Sequence, residues 1–220
     1  PSVATSYTNI GGAYFFMGKY PEALSEFKKA FDSYNNIGGV HYSMGKYPEA
    51  LSEYKKAFDM RLAVYGTGKP HPSVSASYND IGRVYFSMGK YPEALSAFKK
   101  CLNMVLAVYG TEKPHPFVAS IYNNISGVYV SMGKYPEALS EFKMSLDIYL
   151  AVYGTEKPHP FVATSYNNIG GVYNSMEKYP EALREYKKSL NMMLAVYGTE
   201  KPHPSVATSY NNIGGVYKSM

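Results

Sequence analysis

The sequence predicts an all-α protein built from repeated helical hairpins. The motif Tyr-Pro-Glu-Ala-Leu occurs five times, beginning at Tyr20, Tyr47, Tyr91, Tyr135 and Tyr179. The last four copies are spaced by 44 residues. Within each unit the apolar residues follow the i, i+3, i+4, i+7 pattern of amphipathic helices. A fixed period of this length is typical of a solenoid, in which each unit packs against its neighbours.

Each unit reads as two helices joined by a turn. Between His71 and Gly110, two apolar stripes have helical spacing (Tyr78, Ile81, Gly82, Tyr85; then Ala94, Phe98, Cys101, Leu102). Pro72 and Pro92 stand in first turns, where a missing N–H costs nothing, and Gly110 is placed to end a helix. First helices are predicted near 73–88, 117–132, 161–176 and 205–220, and second helices near 48–65, 92–109, 136–153 and 180–197.

The N-terminal part departs from the period. Residues 3–17 are predicted as a first helix, but Tyr20 and Tyr47 are only 27 residues apart, so 17 residues are missing. Across this gap the apolar stripe continues in phase from Ala23 to His41, and no proline interrupts it. The competing outcome is a bend at the short polar residues 32 and 33, which can cap a new helix.

We therefore predict one fused helix from about Pro21 to Met44, roughly 36 Å long at 1.5 Å per residue. Residues 1–44 form the irregular part of a single 1–220 solenoid, and residues 45–220 form regular repeats that end on an unpaired helix. Fusion leaves the apolar face from Tyr34 to Tyr42 without its usual neighbour, which offers a surface for a homodimer. Because the chain starts at Pro1 and stops in mid-repeat, we interpret it as a piece of a longer protein.

The order of residue types in the unit is specific. The bulky, aliphatic, small and aromatic positions of the tetratricopeptide pattern are occupied in sequence by Tyr78, Ile81, Gly82, Tyr85, Gly89, Tyr91, Ala94, Phe98 and Cys101. The chain resembles the tetratricopeptide repeat (TPR) family over essentially its whole length. The long unit, with its Asn-rich first helix and His-Pro loop, is similar to the kinesin light chain and nephrocystin-like subgroup. The loop is about two residues longer than expected there, and Ser126 and Glu177 replace glycines of the sister copies.

This resemblance implies a right-handed superhelix whose first helices line a concave groove. On this basis a repeated pair of polar residues lies on or near the groove (Asn35 and Asn36, Asn79 and Asp80, Asn123 and Asn124, Asn167 and Asn168, Asn211 and Asn212). Asn disfavours helix interiors, and its amide can bond the backbone of an extended peptide. The alternatives are that these residues bridge neighbouring helices or were copied by duplication.

Residues that differ between copies are expected to give the groove its selectivity. One turn beyond the Asn pair the copies carry Phe15, Tyr42, Phe86, Val130, Asn174 and Lys218, and Arg83 replaces a glycine. The N-terminal half of the groove is then aromatic with one cation, and the C-terminal half is polar and basic. A peptide with apolar residues at one end and carboxylates at the other fits this pattern. Drift after duplication is the alternative.

Composition argues against several other functions. The net charge of +5 comes largely from Lys-Lys pairs spread over the second helices, so we expect no nucleic-acid partner. No apolar run reaches membrane-spanning length, and no signal-like segment is present, so we expect no membrane association and a cytoplasmic location. Cys101 is the single cysteine and reads as a small packing residue.

The search for catalytic chemistry finds nothing convincing. The recurring histidines lie one repeat apart, too far for shared metal coordination, and read as helix-start residues (His71, His115, His159 and His203). The recurring glutamates lie in helix first turns, where the dipole explains them. We therefore expect no enzymatic activity, no cofactor and no metal. The leading hypothesis is a scaffold that binds a linear peptide; the alternatives are a self-associating structural module and the sensor arm of a larger switch protein.

Overall fold

The computed structural model describes residues 2–67, 69–110, 113–155, 157–198 and 203–220. Within these ranges all regular secondary structure is α-helical. The chain divides into two compact units, Pro1–Gly110 and Thr111–Met220. The described part of the first unit contains α1 (Val3–Phe16), α2 (Tyr20–Ser43), α3 (Tyr47–Tyr65), α4 (Pro72–Ser87) and α5 (Tyr91–Tyr109). That of the second contains α6 (Pro116–Ser131), α7 (Tyr135–Tyr153), α8 (Pro160–Ser175), α9 (Tyr179–Tyr197) and α10 (Pro204–Ser219).

The first helices of the regular hairpins begin at histidine caps. Nδ1 of His71 accepts a hydrogen bond from the backbone N–H of Ser73 at 3.1 Å, and His115, His159 and His203 accept the equivalent bond. The imidazoles of His71, His159 and His203 also stack on the tyrosine that ends the preceding helix, with ring centroids 3.5 or 3.6 Å apart. The prediction that these histidines start helices is confirmed.

The turn inside each regular hairpin depends on a residue with positive φ. Gly45, Gly89 and Gly133 have φ between +70° and +72°, a region that glycine enters without a steric cost. Glu177 occupies the same place between α8 and α9 with φ of +59°. A side chain in this region costs about 1–2 kcal/mol, so this turn is strained where its sister turns are not.

A glycine in the first helix lets the second helix approach closely. A Cβ on Gly82 would lie 2.7 Å from the ring of Phe98, and Gly38 and Gly170 are packed as tightly against the rings that face them. Ser126 takes this position in α6, where it is fully buried and its hydroxyl donates to the carbonyl one turn earlier at 2.7 Å. The hydroxyl is therefore satisfied inside its own helix.

Neighbouring hairpins within each unit pack through a buried valine. Val84 on α4 belongs to one apolar cluster with Ala50 and Tyr54 of α3. In the second unit Val172 on α8 packs into the cluster formed by α7, and Val216 on α10 packs into that formed by α9. These valines are 0–2% exposed, so the contact between successive hairpins is dry.

Helix α2 is the exception to the regular pattern. It is one helix of 24 residues that continues through residues 32 and 33, against an expected span of about 21–44. Helix α1 packs along its N-terminal half, and α3 packs along its C-terminal half, where Tyr54 lies against Gly38. Helix α2 is thus the second helix of one hairpin and the first of the next. Val40, which corresponds to the buried Val84, is 59% exposed because no preceding helix covers it.

Candidate functional site

In the first unit, the end of α2 and the last turns of α4 bring together a tyrosine, an arginine and a carboxylate. The hydroxyls of Tyr42 and Ser87 are 2.9 Å apart and share a hydrogen bond. The guanidinium carbon of Arg83 lies 4.9 Å from the centroid of the Tyr42 ring, and its Nη1 lies 4.0 Å from Oδ1 of Asp80. The Arg83 side chain is 48% exposed. It is therefore positioned by two neighbours while remaining accessible to a ligand.

An aromatic surface lies one turn away on the same helix. Phe86 follows Arg83 by three residues, so the two side chains are neighbours on the surface of α4. The Phe86 ring is 37% exposed and packs against Tyr91, with centroids 5.9 Å apart. This part of α4 can offer a ligand both an apolar contact and a cation.

A second cation lies buried behind this surface. Arg61 of α3 is only 7% exposed; its Nη1 donates to Oγ of Ser77 at 2.6 Å and to Oδ1 of Asn35 at 3.3 Å. Its Nε is buried and has no hydrogen-bond partner among the described residues. The sister helices have Val105, Tyr149 and Met193 at this position.

The two buried charges depend on each other. Burial raises the pKa of the Asp80 carboxyl, and Arg83 and Arg61 oppose this effect. Burial lowers the pKa of Arg61, and Asp80 and then Asp32 oppose it. Burial also raises the pKa of the nearby Tyr54 phenol. Each charge therefore reduces the cost of keeping the other in the interior.

The asparagines of the first unit are placed in different ways. Asn35 is half-buried and uses its carbonyl oxygen to bind Arg61, so this amide bridges two helices. Asn36 is exposed on α2. Asn79 is half-buried and takes part in interactions within the protein. Of these three residues, Asn36 presents its side chain most openly to solvent.

In the second unit one pair of asparagines connects successive first helices. Nδ2 of Asn212 on α10 donates to Oδ1 of Asn167 on α8 at 2.7 Å. The bridging alternative is therefore what the structure contains at this pair, as it is at Asn35. Asn168 is half-buried and Asn211 is exposed. Asn124 is half-buried and has partners within the protein.

Two asparagines of the second unit have a buried side-chain oxygen that accepts no hydrogen bond from the described residues. Burial raises the pKa of Tyr149, and a hydrogen bond with the side chain of Asn123 partly offsets this. Oδ1 of Asn123 and Oδ1 of Asn174 are buried and have no hydrogen-bond partner among the described residues. Lys218, near the end of α10, is exposed.

Sequence reasoning identified Asp80 and Arg83 but missed Arg61. The signal was present, because Arg61 interrupts a position that is apolar in every sister helix. It was missed because the copies were compared only along the first helices. Comparison of the copies position by position on both helices would have found it.

The described part of the chain contains no cluster of three His, Cys, Asp or Glu residues that could hold a metal ion.

Burial raises the pKa of the Cys101 thiol to about 12, so this thiol is protonated at neutral pH and is a poor nucleophile. No helix in the described ranges combines the length and the apolar character that crossing a membrane requires.

Several solved structures have a similar fold. BtubC (BKLC) from P. vanneervenii matches with a TM-score of 0.74 at 19% identity, covering 98% of this chain and 82% of that protein. A putative kinesin light chain from Podosopora anserina with nearly identical TPR-like repeats matches with a TM-score of 0.63 at 16% identity, covering 89% and 97%. A signal transduction ATPase from Pyrococcus horikoshii with a tetratricopeptide repeat sensor matches with a TM-score of 0.70 at 14% identity, covering 99% and 33%. At these identities the likeness is one of fold.

Among curated protein sequences none matches this chain. Family models give the stronger result: one tetratricopeptide repeat model matches residues 30–107, 117–195 and 161–220, and a second matches residues 3–34. The matches leave few residues uncovered, and they agree with the hairpins, the close glycine contacts and the structural neighbours. The fold generally mediates protein–protein interactions. The chain belongs to the tetratricopeptide repeat family.

Proposed function

We propose that this protein is a non-enzymatic scaffold that binds a linear peptide segment of a partner protein. The observation that carries the proposal is Arg83, a cation at a position where the sister copies have glycine. It is held over the ring of Tyr42 and is still half-exposed. An arginine fixed by neighbours loses less side-chain entropy when it binds a carboxylate than a mobile one does.

The chemistry of the preferred peptide follows from the residues around Arg83. Its guanidinium can form a bidentate bond with a carboxylate, because Asp80 lies at 4.0 Å and makes only a loose ion pair with it. Phe86 offers an apolar contact one turn away. The peptide therefore carries an acidic residue close to an aliphatic or aromatic one.

The asparagines support a backbone-directed role in part. Asn36 and Asn211 are exposed and can bond the amides of an extended peptide. The Oδ1 atoms of Asn123 and Asn174 are buried, so they do not bond a peptide on the surface. Asn35 and Asn167 contribute indirectly, because their side chains already hold neighbouring helices in register.

The test uses peptide arrays followed by calorimetry on the selected peptide. We expect Arg83→Ala to weaken binding about tenfold at low ionic strength, which corresponds to about 1.4 kcal/mol, and the difference to shrink as salt is added. The control is Arg184→Ala, which removes the same charge from α9, where the side chain is 61% exposed. Equal losses of affinity in the two variants would show that net charge, and not this site, determines binding.

A second candidate function is self-association, favoured by the apolar surface at the turn between α1 and α2. Phe16 is 91% exposed, and its neighbours Met17 and Tyr20 are 63% and 62% exposed. Every sister copy has serine at the position of Phe16. An exposed aromatic cluster of this kind is typical of a contact surface.

The exposed Val40 lies elsewhere on α2. It follows Tyr20 by twenty residues, which corresponds to a rotation of about 200° around the helix axis, so the two lie on opposite faces. One straight partner helix cannot cover both. We expect Phe16→Ser to abolish any concentration-dependent increase in mass in light scattering, with Val40→Ser as the comparison. A mass that stays monomeric at millimolar concentration in the unmodified protein rejects self-association.

A further inference from the structure

A cavity of about 170 Å³ lies between α8, α9 and α10 in the second unit. Asn167, Ser189, Met193 and Ser209 form its walls. Oγ of Ser189 is fully buried and has no hydrogen-bond partner among the described residues. A buried hydroxyl without a partner is unfavourable, so the site favours a bound group that can bond to it.

The cavity opens to the surface beside Asn167, which is bonded to Asn212. Thr164 and Thr208 also line it, and both are exposed. Each lies one helical turn before an asparagine of the connected pair, Asn167 or Asn212. A ligand can therefore enter from the side on which the proposed peptide would lie.

The sequence explains why space is left here. One repeat earlier, between α6, α7 and α8, the equivalent positions are Tyr149 and Phe161, whose rings stack with centroids 5.3 Å apart. Around the cavity the corresponding residues are Met193 and Ser205. The smaller side chains do not replace the two rings, so a void remains at this place.

A third copy of the same place, between α2, α3 and α4, is filled by a different group. There the guanidinium of Arg61 donates to Asn35 and Ser77. These two residues correspond to Asn167 and Ser209 of the cavity. The protein thus provides two examples of what this frame of asparagine and serine accepts: a planar cation, and the buried phenol ring of Tyr149, which stacks on Phe161 and whose raised pKa is partly offset by a hydrogen bond with the side chain of Asn123.

The neutral residues around the cavity favour a phenol ring over a cation. The buried cation Arg61 is supported by Asp80 and Asp32. The residues at their positions around the cavity are Asn212 and Thr164, which are neutral. A buried cation without a carboxylate is strongly disfavoured. The surroundings of Tyr149 are neutral in the same way, since its copy has Asn168 and Ser120 at these positions.

We propose that the cavity binds a phenol ring, with its hydroxyl bonded to the side chain of Asn167 and its ring against Met193. The hydroxyl of Ser189 is a second hydrogen-bonding partner within the same cavity. The ring comes either from a free small phenol or from a tyrosine of the peptide, and only the latter source rests on the proposed peptide-binding function. In either case the ligand replaces the ring that Tyr149 supplies in the preceding repeat.

The test is calorimetric titration of the full chain with p-cresol, with toluene as the ligand that lacks the hydroxyl. We expect saturable binding of p-cresol and at least tenfold weaker binding of toluene. Met193→Tyr should fill the cavity from within, weaken p-cresol binding at least tenfold and raise Tm. Ser205→Phe fills it from α10 and is the second variant in case the first does not fold. Met144→Tyr adds a phenol at an exposed site on α7 and should leave binding unchanged.

Three results would overturn the proposal: no binding of p-cresol, equal binding of toluene, or full binding in both filled variants. A pair of selected peptides that differ only by Tyr or Phe separates the two sources. A preference for Tyr that disappears in Met193→Tyr assigns the site to a peptide tyrosine. Binding of p-cresol without such a preference assigns it to a free phenol. Since p-cresol binding does not involve Arg83, this result is independent of the proposed peptide site in the first unit.

Discussion

Replacing Glu177 by glycine should stabilise the second unit. Glu177 has φ of +59°, whereas Gly133, at the same place in the α6–α7 turn, has φ of +70°. Both residues donate a backbone hydrogen bond to the carbonyl three residues earlier, at 3.0 and 2.9 Å. The backbone of the turn is therefore the same, and the difference between the copies is the strain of a Cβ in the left-handed region.

The magnitude follows from two opposing effects. Relief of the strain contributes about 1–2 kcal/mol. Glycine loses about 0.5–1 kcal/mol more conformational free energy on folding than alanine does. The midpoints of the two ranges give a net gain for Glu177→Gly of about 0.75 kcal/mol, and for a chain of this size it raises Tm by roughly 1.5–3 °C. Gly133→Glu should lower stability by a similar amount within the same unit.

The assay is urea and thermal unfolding followed by circular dichroism, with hydrogen exchange at the amides of the two turns. Glu177→Gln is the control that removes the charge and keeps the Cβ, so it should give no gain. Glu177→Asn should recover part of the gain, because asparagine tolerates positive φ better than glutamate does. A gain in Glu177→Gln as large as that in Glu177→Gly would show that charge, and not backbone strain, limits this turn.

Three further sets of variants test the packing. His159→Ala should cost about 1 kcal/mol by removing a helix cap, His159→Asn should retain most of that stability, and equal urea midpoints for the two would contradict the capping role. Arg61→Met should cost about 1–3 kcal/mol because it removes one of the two cations, Arg61 and Arg83, that support the buried Asp80, and adding Asp80→Asn should recover most of the loss. Because the pKa of Asp80 is raised above its unfolded value of 3.8, the folded protein favours the protonated carboxyl. This contribution to stability is complete below pH 3.8 and is lost as pH rises through the folded pKa. Asp80→Asn should therefore flatten the pH profile of the urea midpoints in this range. Phe142→Ala should cost about 3–5 kcal/mol of stability, because Phe142 of α7 lies in the core. Phe27→Ala should cost less, because Phe27 is half-buried. Equal losses would argue against regular repeat packing.

The regular part of the fold follows from periodicity, because each signal in the sequence acts over a few residues. Proline fixes the first turn, and glycine permits the reversal at Gly89, so the predicted helix limits agree with the observed ones to within one residue. The contact of Gly82 with Phe98 is also local to one hairpin. Identical local signals in successive copies leave little room for another arrangement.

The candidate site was predicted less completely, because its geometry depends on which neighbour a polar side chain meets. The resemblance predicted the asparagines on or near a groove, but it could not show that Asn167 bonds to Asn212 or that Asn35 is occupied by Arg61. Both bonds join residues that are far apart in sequence. The cavity beside Met193 was invisible for the same reason, since it depends on side chains from three helices.

The charged substitutions in two neighbouring copies argue against simple drift. Arg61, Asp80 and Arg83 each differ from their counterparts in the other copies. Asp80 lies within 4.0 Å of Arg83 and lowers the cost of burying Arg61. If the substitutions were independent, the loss of any one would leave the others unaffected, but here the loss of Asp80 would leave Arg61 buried without its main support. Physical coupling of this kind is expected when neighbouring copies have been adapted together to a local role, and the exposed member of the set is Arg83, the residue proposed to meet the ligand.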